Sequence, residues 1–228
     1  MVTTLQDQLD RVASRLRQAL DPTELEELDD AIDRLRMLQI VEQGLAVGDV
    51  LPDFALPDGD GRTVTSEELL TRGPLALAFF RGAWCPYCSL TLQALEEARP
   101  AIERQGACLV AVAPVPAEEL RRLAGERGLG LRLLSDPGAA YAKICGVQFE
   151  MTEAFTALYQ RLARRFGLET PEVDPGTGWR LPIPATYVAD QGAVIRYAFG
   201  DADWARRAEP RDVVATVEHL AQAAEATG

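Results

Sequence analysis

The sequence predicts an α/β protein, and three observations carry the prediction. Leu75–Phe80 and Cys108–Ala113 are continuous apolar runs of strand length, which suits strands buried on both faces of a sheet. Between them, Leu92, Leu95 and Ile102 recur at helical spacing within 89–104, so strand, helix and strand follow in β-α-β order. The helix of that unit opens on Cys85-Pro86-Tyr87-Cys88.

The chain has 228 residues, enough for one full domain with an appendage. Its net charge of −12 opposes phosphate backbones and anionic bilayers, so neither nucleic acid nor a membrane is an expected partner. No apolar run approaches bilayer-spanning length, and the start lacks the basic-then-apolar pattern of a secretory signal, so a cytoplasmic protein is expected. The one histidine, His219, lies in a helical pattern and reads as a surface residue. It leaves no set of histidines for a zinc site and one candidate base for a Ser-His-Asp or Cys-His machine.

Residues 1–45 read as an N-terminal helical hairpin. Leu5, Leu9, Val12, Leu16 and Leu20 line one helix face, and Leu25, Leu28, Ile32, Leu35 and Leu38 line the next. Between them Asp21 suits a cap, Pro22 the first helical position, and Glu24 the return arm of a capping box. The stripes pack on the main domain or form a homodimer contact; the pattern serves both.

The main domain is expected over 46–228. Asp58-Gly59-Asp60-Gly61 marks a turn, and Ser66 caps a short helix. A helix follows over about 116–127, then a short strand at Leu131–Leu134 and a turn at Ser135–Gly138. Residues 146–181 depart from the alternation and read as an insertion, with Phe155, Leu158, Leu162 and Phe166 on one helix face before a Pro/Gly-rich stretch. Tyr187–Ala189 and Val194–Ala198, joined through Asp190-Gln191-Gly192, predict a hairpin, and Pro210 opens the last helix.

The chemistry is placed at the C-x-x-C. Cys85 falls at or beside the N-cap, where unpaired amides favour a thiolate, and Pro86 fills a position whose N–H is an orphan anyway. Cys88 is on the same turn, so the two sulfurs are placed to close and reopen a disulfide. Trp84 is expected to cover the apolar rim. Arg81 reads either as a solvated loop residue or as a charge that lowers a thiol pKa. A zinc site needs two more ligands, and the spare sulfurs are Cys108, inside a strand, and Cys145, a structural thiol or a resolving one. No metal, flavin or nicotinamide site is visible.

Four segments then carry a resemblance: GDVLPDFALPDGDGRTV, FFRGAWCPYC, GLRLLSDPGAAYAKICGV and IPATYVADQGAVIRYAFGDAD. They resemble the peroxiredoxin superfamily in its alkyl hydroperoxide reductase / thiol-specific antioxidant branch, nearest to a peroxiredoxin-like subgroup with a C-x-x-C. The tetrad itself is similar to that of glutaredoxins. The resemblance implies a thioredoxin-like fold with a central mixed sheet flanked by helices. It also implies a cis proline at the active site, matched by Pro184. It implies a thiol-dependent oxidoreductase reducing hydroperoxides or disulfides, with thioredoxin or glutathione as reductant. Two departures stand out. Cys85 occupies the family's threonine position three residues before Cys88, and Ile183-Pro184-Ala185 occupies the region of its peroxide-binding arginine. The family alignment makes Cys88 the attacking thiol, whereas the helix terminus favours Cys85 as the more acidic and more exposed one. The rival readings are disulfide exchange without peroxidase activity, and a redox-sensing interaction module.

Overall fold

The computed structural model describes residues 3–167 and 179–225. Two helices come first, α1 (Leu5–Ala19) and α2 (Pro22–Met37). Both start on a reciprocal capping box: Thr4 with Asp7, and Asp21 with Glu24, whose Oε2 accepts the Asp21 N–H at 3.1 Å. Their apolar stripes face inward: Leu5, Leu9, Leu20, Leu28, Ile32 and Leu35 are buried in the common core. Leu38 lies past the end of α2 and is 52 % exposed, so the stripe stops one residue short of the expected one.

Strands β1 (Ala55–Pro57) and β2 (Thr63–Thr65) form a small antiparallel ladder and lead into α3 (Ser66–Arg72). The β-α-β unit is present as β3 (Leu75–Phe79), α4 (Pro86–Arg104) and β4 (Cys108–Ala113), with β3 and β4 parallel from Leu75↔Cys108 to Phe79↔Val112. Next come α5 (Ala117–Arg127), β5 (Arg132–Ser135) and the short α6 (Ala140–Ile144). The expected insertion contains β6 (Gln148–Glu150), α7 (Glu153–Phe166) and β7 (Arg180–Pro182), with β6 and β7 antiparallel. Most of its Pro/Gly-rich stretch lies outside the described residues. The predicted hairpin is β8 (Ala185–Ala189) and β9 (Ile195–Gly200), and α8 (Pro210–Glu225) closes the chain with His219 exposed.

The central sheet is mixed, in the order β5-β4-β3-β8-β9, and helices flank it. Strand β3 is its middle. All five of its residues are buried, which explains the absence of period-two alternation in the sequence. Helix α4 packs against α8 and against α1, and α2 packs against α7. The N-terminal hairpin and α7 therefore sit over the start of α4. Ion pairs tie this cover together: Arg17 to Asp29 at 2.7 Å between α1 and α2, and Arg165 to Glu24 at 2.9 Å between α7 and α2.

The cis peptide expected at Ile183–Pro184 is not formed: every peptide bond among the described residues is trans. The chain bends at Pro184 between β7 and β8, with the Ile183 N–H donating to Val147 O at 2.9 Å and Pro184 O accepting from Asp201 N–H at 3.2 Å.

Candidate functional site

The site is built where β3 leaves the sheet. Phe80 N–H still pairs with Val112 O at 2.9 Å, after which the chain turns through Arg81, Gly82, Ala83 and Trp84 to the N-cap of α4 at Cys85. Gly82 is required there. Its φ is +147°, and a Cβ at this position would lie 2.5 Å from Trp84 Nε1. Pro86 takes the first helical position as the sequence predicts.

Both thiols are reduced and buried, with Cys85 1 % and Cys88 0 % exposed. This corrects the expectation of an exposed Cys85 at the helix mouth. The hairpin and α7 lie over that mouth: Leu16, Leu28, Phe155, Tyr159, Leu162 and Phe166 share a narrow cavity of about 70 Å³ with Arg81, Trp84, Cys85, Pro86 and Tyr87. Pro184 is not among the residues that line it.

The acidity of the pair is also reversed from the helix-terminus expectation. Cys85 makes no side-chain capping bond. Burial pushes its thiol well above the usual range, and its hydrogen bond to Cys88 pushes the same way, against the charge of Arg81. Burial alone would raise Cys88 too, but four groups overcome it. The Cys85 thiol donates to it, the Arg207 and Arg81 guanidiniums attract its charge, and the Arg81 backbone N–H donates to Sγ at 3.4 Å. Cys88 is therefore held well below an ordinary thiol.

Arg81 departs from its solvated reading as well. It is 6 % exposed rather than solvated, with Nη2 3.1 Å from Cys85 Sγ. Its guanidinium lies 5.4 Å from the ring centroids of both Trp84 and Trp204, which hold it by cation–π attraction. Burial disfavours its charge, and the two cysteines more than restore it, so its pKa is raised. Trp84 covers the site as expected, stacked on Trp179 at 5.6 Å with Tyr159 edge-on at 4.9 Å. Burial, with the Cys85 charge adding to it, pushes Tyr87 up to about 12.

Arg207 is the residue that sequence reasoning missed. It follows β9 in the loop before α8 and is buried. Its Nη2 is 3.8 Å from Cys88 Sγ, while Nη1 donates to the carbonyls of Trp204 and Arg206. A guanidinium therefore reaches the thiol although Ile183-Pro184-Ala185 fills the region where the resemblance expected one. The sequence offers no periodic signal for it, because a buried loop arginine lies on no helix face and in no strand alternation.

A family model described as the AhpC/TSA family matches residues 47–198, two thirds of the chain. The chain belongs to the AhpC/TSA family. Membership makes it a thiol-dependent peroxidase by class, as the peroxiredoxin resemblance implied. Solved structures share its fold. The Mycobacterium tuberculosis peroxidoxin BcpB is 20 % identical with a TM-score of 0.59, covering 77 % of this chain and 98 % of that one. Mycobacterium tuberculosis AhpC is 15 % identical with a TM-score of 0.56, covering 77 % and 93 %. A yeast mitochondrial 1-Cys peroxiredoxin, described with a thiol resolving mechanism through glutathione/thioredoxin systems, is 13 % identical with a TM-score of 0.53, covering 79 % and 78 %. No curated protein sequence matches the chain. The match of the AhpC/TSA model starts after the hairpin, so α1 and α2, which cover the cysteines, lie outside the family pattern.

Cys145 is buried at the end of α6, and burial pushes its thiol up to about 12 against the lowering effect of the Tyr141 hydroxyl. Cys108 is half-buried at the start of β4, its Sγ 3.6 Å from Leu69 O, and its pKa is also raised by burial. Among the described residues no group of His, Cys, Asp and Glu is arranged to hold a metal ion, and no helix is long and apolar enough to cross a membrane.

Proposed function

We propose that the chain reduces hydroperoxides, with Cys88 as the attacking thiolate and Cys85 as the resolving thiol. One observation carries the assignment: Cys88 Sγ is buried yet faced by the Arg81 amide, the guanidiniums of Arg81 and Arg207, and the Cys85 thiol. Thiolate fraction at neutral pH decides which sulfur attacks. Cys88 Sγ forms a bond to the OH oxygen of the hydroperoxide as the O–O bond breaks. The released alkoxide takes a proton from water and leaves as an alcohol, or as water where hydrogen peroxide is the substrate. Cys88 is now a sulfenic acid. Cys85 attacks its sulfur, the Cys85 proton joins the departing hydroxide as water, and a Cys85–Cys88 disulfide remains. A dithiol of the thioredoxin type, or two molecules of glutathione that leave as their own disulfide, returns both thiols by exchange.

Burial of both sulfurs separates this reading from plain disulfide exchange. A protein disulfide must reach the attacking sulfur in line, whereas a hydroperoxide is small enough for a narrow cavity such as the one lined by Trp84, Tyr159 and Leu162, which meets the pair at Cys85, the neighbour of Cys88. Thiols that work by cycling suit a reducing compartment, and we place the protein in the cytoplasm.

The test combines turnover with trapping. Purified protein supplied with tert-butyl hydroperoxide and a dithiol donor should consume peroxide continuously. Peptide mapping after one oxidising equivalent should find Cys85 joined to Cys88. In Cys85→Ser the cycle should stop at a Cys88 sulfenic acid that dimedone labels. A single oxidation without turnover would favour a redox sensor, and a Cys88–Cys145 bridge would remove Cys85 from the resolving role.

A further inference from the structure

The wall of the cavity beside Cys85 carries an anomaly. Three of its residues have a buried polar atom with no hydrogen-bond partner: Arg81 Nε, Trp84 Nε1 and Tyr159 Oη. Buried polar groups without partners are uncommon, because each has lost its water without gaining a partner. Here three are gathered around one cavity, and all three carry a hydrogen to donate. Their side chains are fixed against one another. The Arg81 guanidinium sits over Trp84, and Tyr159 meets Trp84 edge-on. Leu16, Leu28 and Phe155 make much of the remaining wall apolar, and Cys85 and Tyr87 complete it beside them. Unpartnered donors and a small volume describe a site for oxygen atoms that bear lone pairs.

We infer that Trp84 and Tyr159, with Arg81 Nε, bind the peroxide oxygens and hold the developing alkoxide as the O–O bond breaks. This rests on the peroxidase reading and adds to it the two aromatic residues that would touch the substrate. The Tyr159 hydroxyl is suited to hydrogen-bond donation rather than ionisation. Burial raises its pKa above that of an ordinary phenol, against the pull of Arg81, so it stays protonated while the thiolate attacks. No proton changes hands at either aromatic residue. They stabilise the negative oxygen by hydrogen bonding until water protonates it, as preorganised donors do for other oxyanions. Donors that lack a partner in the resting site gain one in the transition state, which is where binding energy accelerates the step.

The experiment measures two rates on wild type, Tyr159→Phe and Trp84→Phe. One is the second-order oxidation of Cys88 by hydrogen peroxide and by tert-butyl hydroperoxide. The other is alkylation of Cys88 by iodoacetamide across pH 4–9, which reports thiolate formation and involves no leaving oxyanion. Tyr159→Phe keeps the ring and should slow oxidation by about tenfold, less than the 10²–10³ of a sole donor because others share the oxygen. The pH midpoint of alkylation should stay where it is. Oxidation unchanged in both variants overturns the inference and leaves the peroxidase reading intact. A parallel loss in oxidation and alkylation also overturns it, since the residues would then only shape the thiol. A wild-type protein oxidised by neither peroxide overturns the peroxidase reading itself, and this assignment with it.

Discussion

Cys88 and Cys145 are both buried thiols at the ends of helices in one α/β core, yet they are driven in opposite directions. Burial is the largest influence on each and disfavours charge in both. Around Cys88 it is overcome by a donor thiol, two guanidiniums and a backbone N–H. Around Cys145 the Tyr141 hydroxyl gives some relief, while the charge of Asp136 adds to the effect of burial. Asp136 is itself buried and is committed to the N–H groups of Tyr141 and Ala142 at 2.9 and 3.0 Å. The contrast teaches that depth in the core does not silence a cysteine. The sign of the charge buried with it decides whether it is a nucleophile or a piece of packing.

The largest effect that would break this contrast is on turnover. Cys88→Ser should lower peroxide consumption by on the order of 10³-fold or more, the scale of losing an enzyme's nucleophile. Cys145→Ala should leave the rate within about twofold, as expected for a residue outside the reacting set. Comparable losses in the two variants would remove the distinction.

A second comparison uses stability against pH. Cys145 in the unfolded chain ionises near 9, while in the fold it holds its proton up to about 12. The unfolded state therefore releases a proton first, and Cys145 lowers stability as pH climbs through that window. Cys88 runs the other way: its depressed folded pKa contributes stability above the unfolded value and loses it as pH falls through the folded one. Denaturant titrations from pH 8 to 11 should show a shallower alkaline decline in Cys145→Ala than in wild type, by up to about 1.4 kcal/mol per pH unit. Identical slopes would mean that Cys145 is not protected.

The smallest expected effect sharpens the contrast by weakening one of its causes. Arg207→Gln keeps hydrogen-bond donors near Trp204 O and removes the charge beside Cys88. The alkylation midpoint of Cys88 should rise by about one pH unit, a tenfold change in thiolate at low pH, while Arg207→Lys should recover part of it. An unmoved midpoint would leave Arg81 and the Cys85 thiol as the sufficient causes.

What the sequence revealed, and what it hid, follows from the range of the interactions. The capping box at Asp21 and Glu24, the buried runs that became β3 and β4, the hairpin of β8 and β9 and the C-x-x-C at the start of α4 are local patterns. Each could be read because spacing along the chain determines geometry over one or two turns. The charge around the thiols is not local. Arg207 meets Cys88 across 119 positions, and Tyr159 reaches the site from a helix inserted between β6 and β7. The helix-terminus argument assigned the low pKa to Cys85 because it weighed the amides of one helix and could not count the helices packed over them. Arg81 reads two ways in the sequence for the same reason: a loop arginine looks solvated until Trp84 and Trp204 are known to enclose it.

The cover made by α1, α2 and α7 bears on the half of the cycle in which electrons return. A folded protein donor must bring its own sulfur into line with the Cys85–Cys88 bond, and with Cys85 1 % exposed no such approach exists while the N-terminal helices are seated. Recharging the pair would then be timed by how frequently those helices part, with the Arg165–Glu24 and Arg161–Glu27 pairs between α7 and α2 acting as a latch. The same two helices that keep the thiolate dry would set the refractory interval between one peroxide and the next.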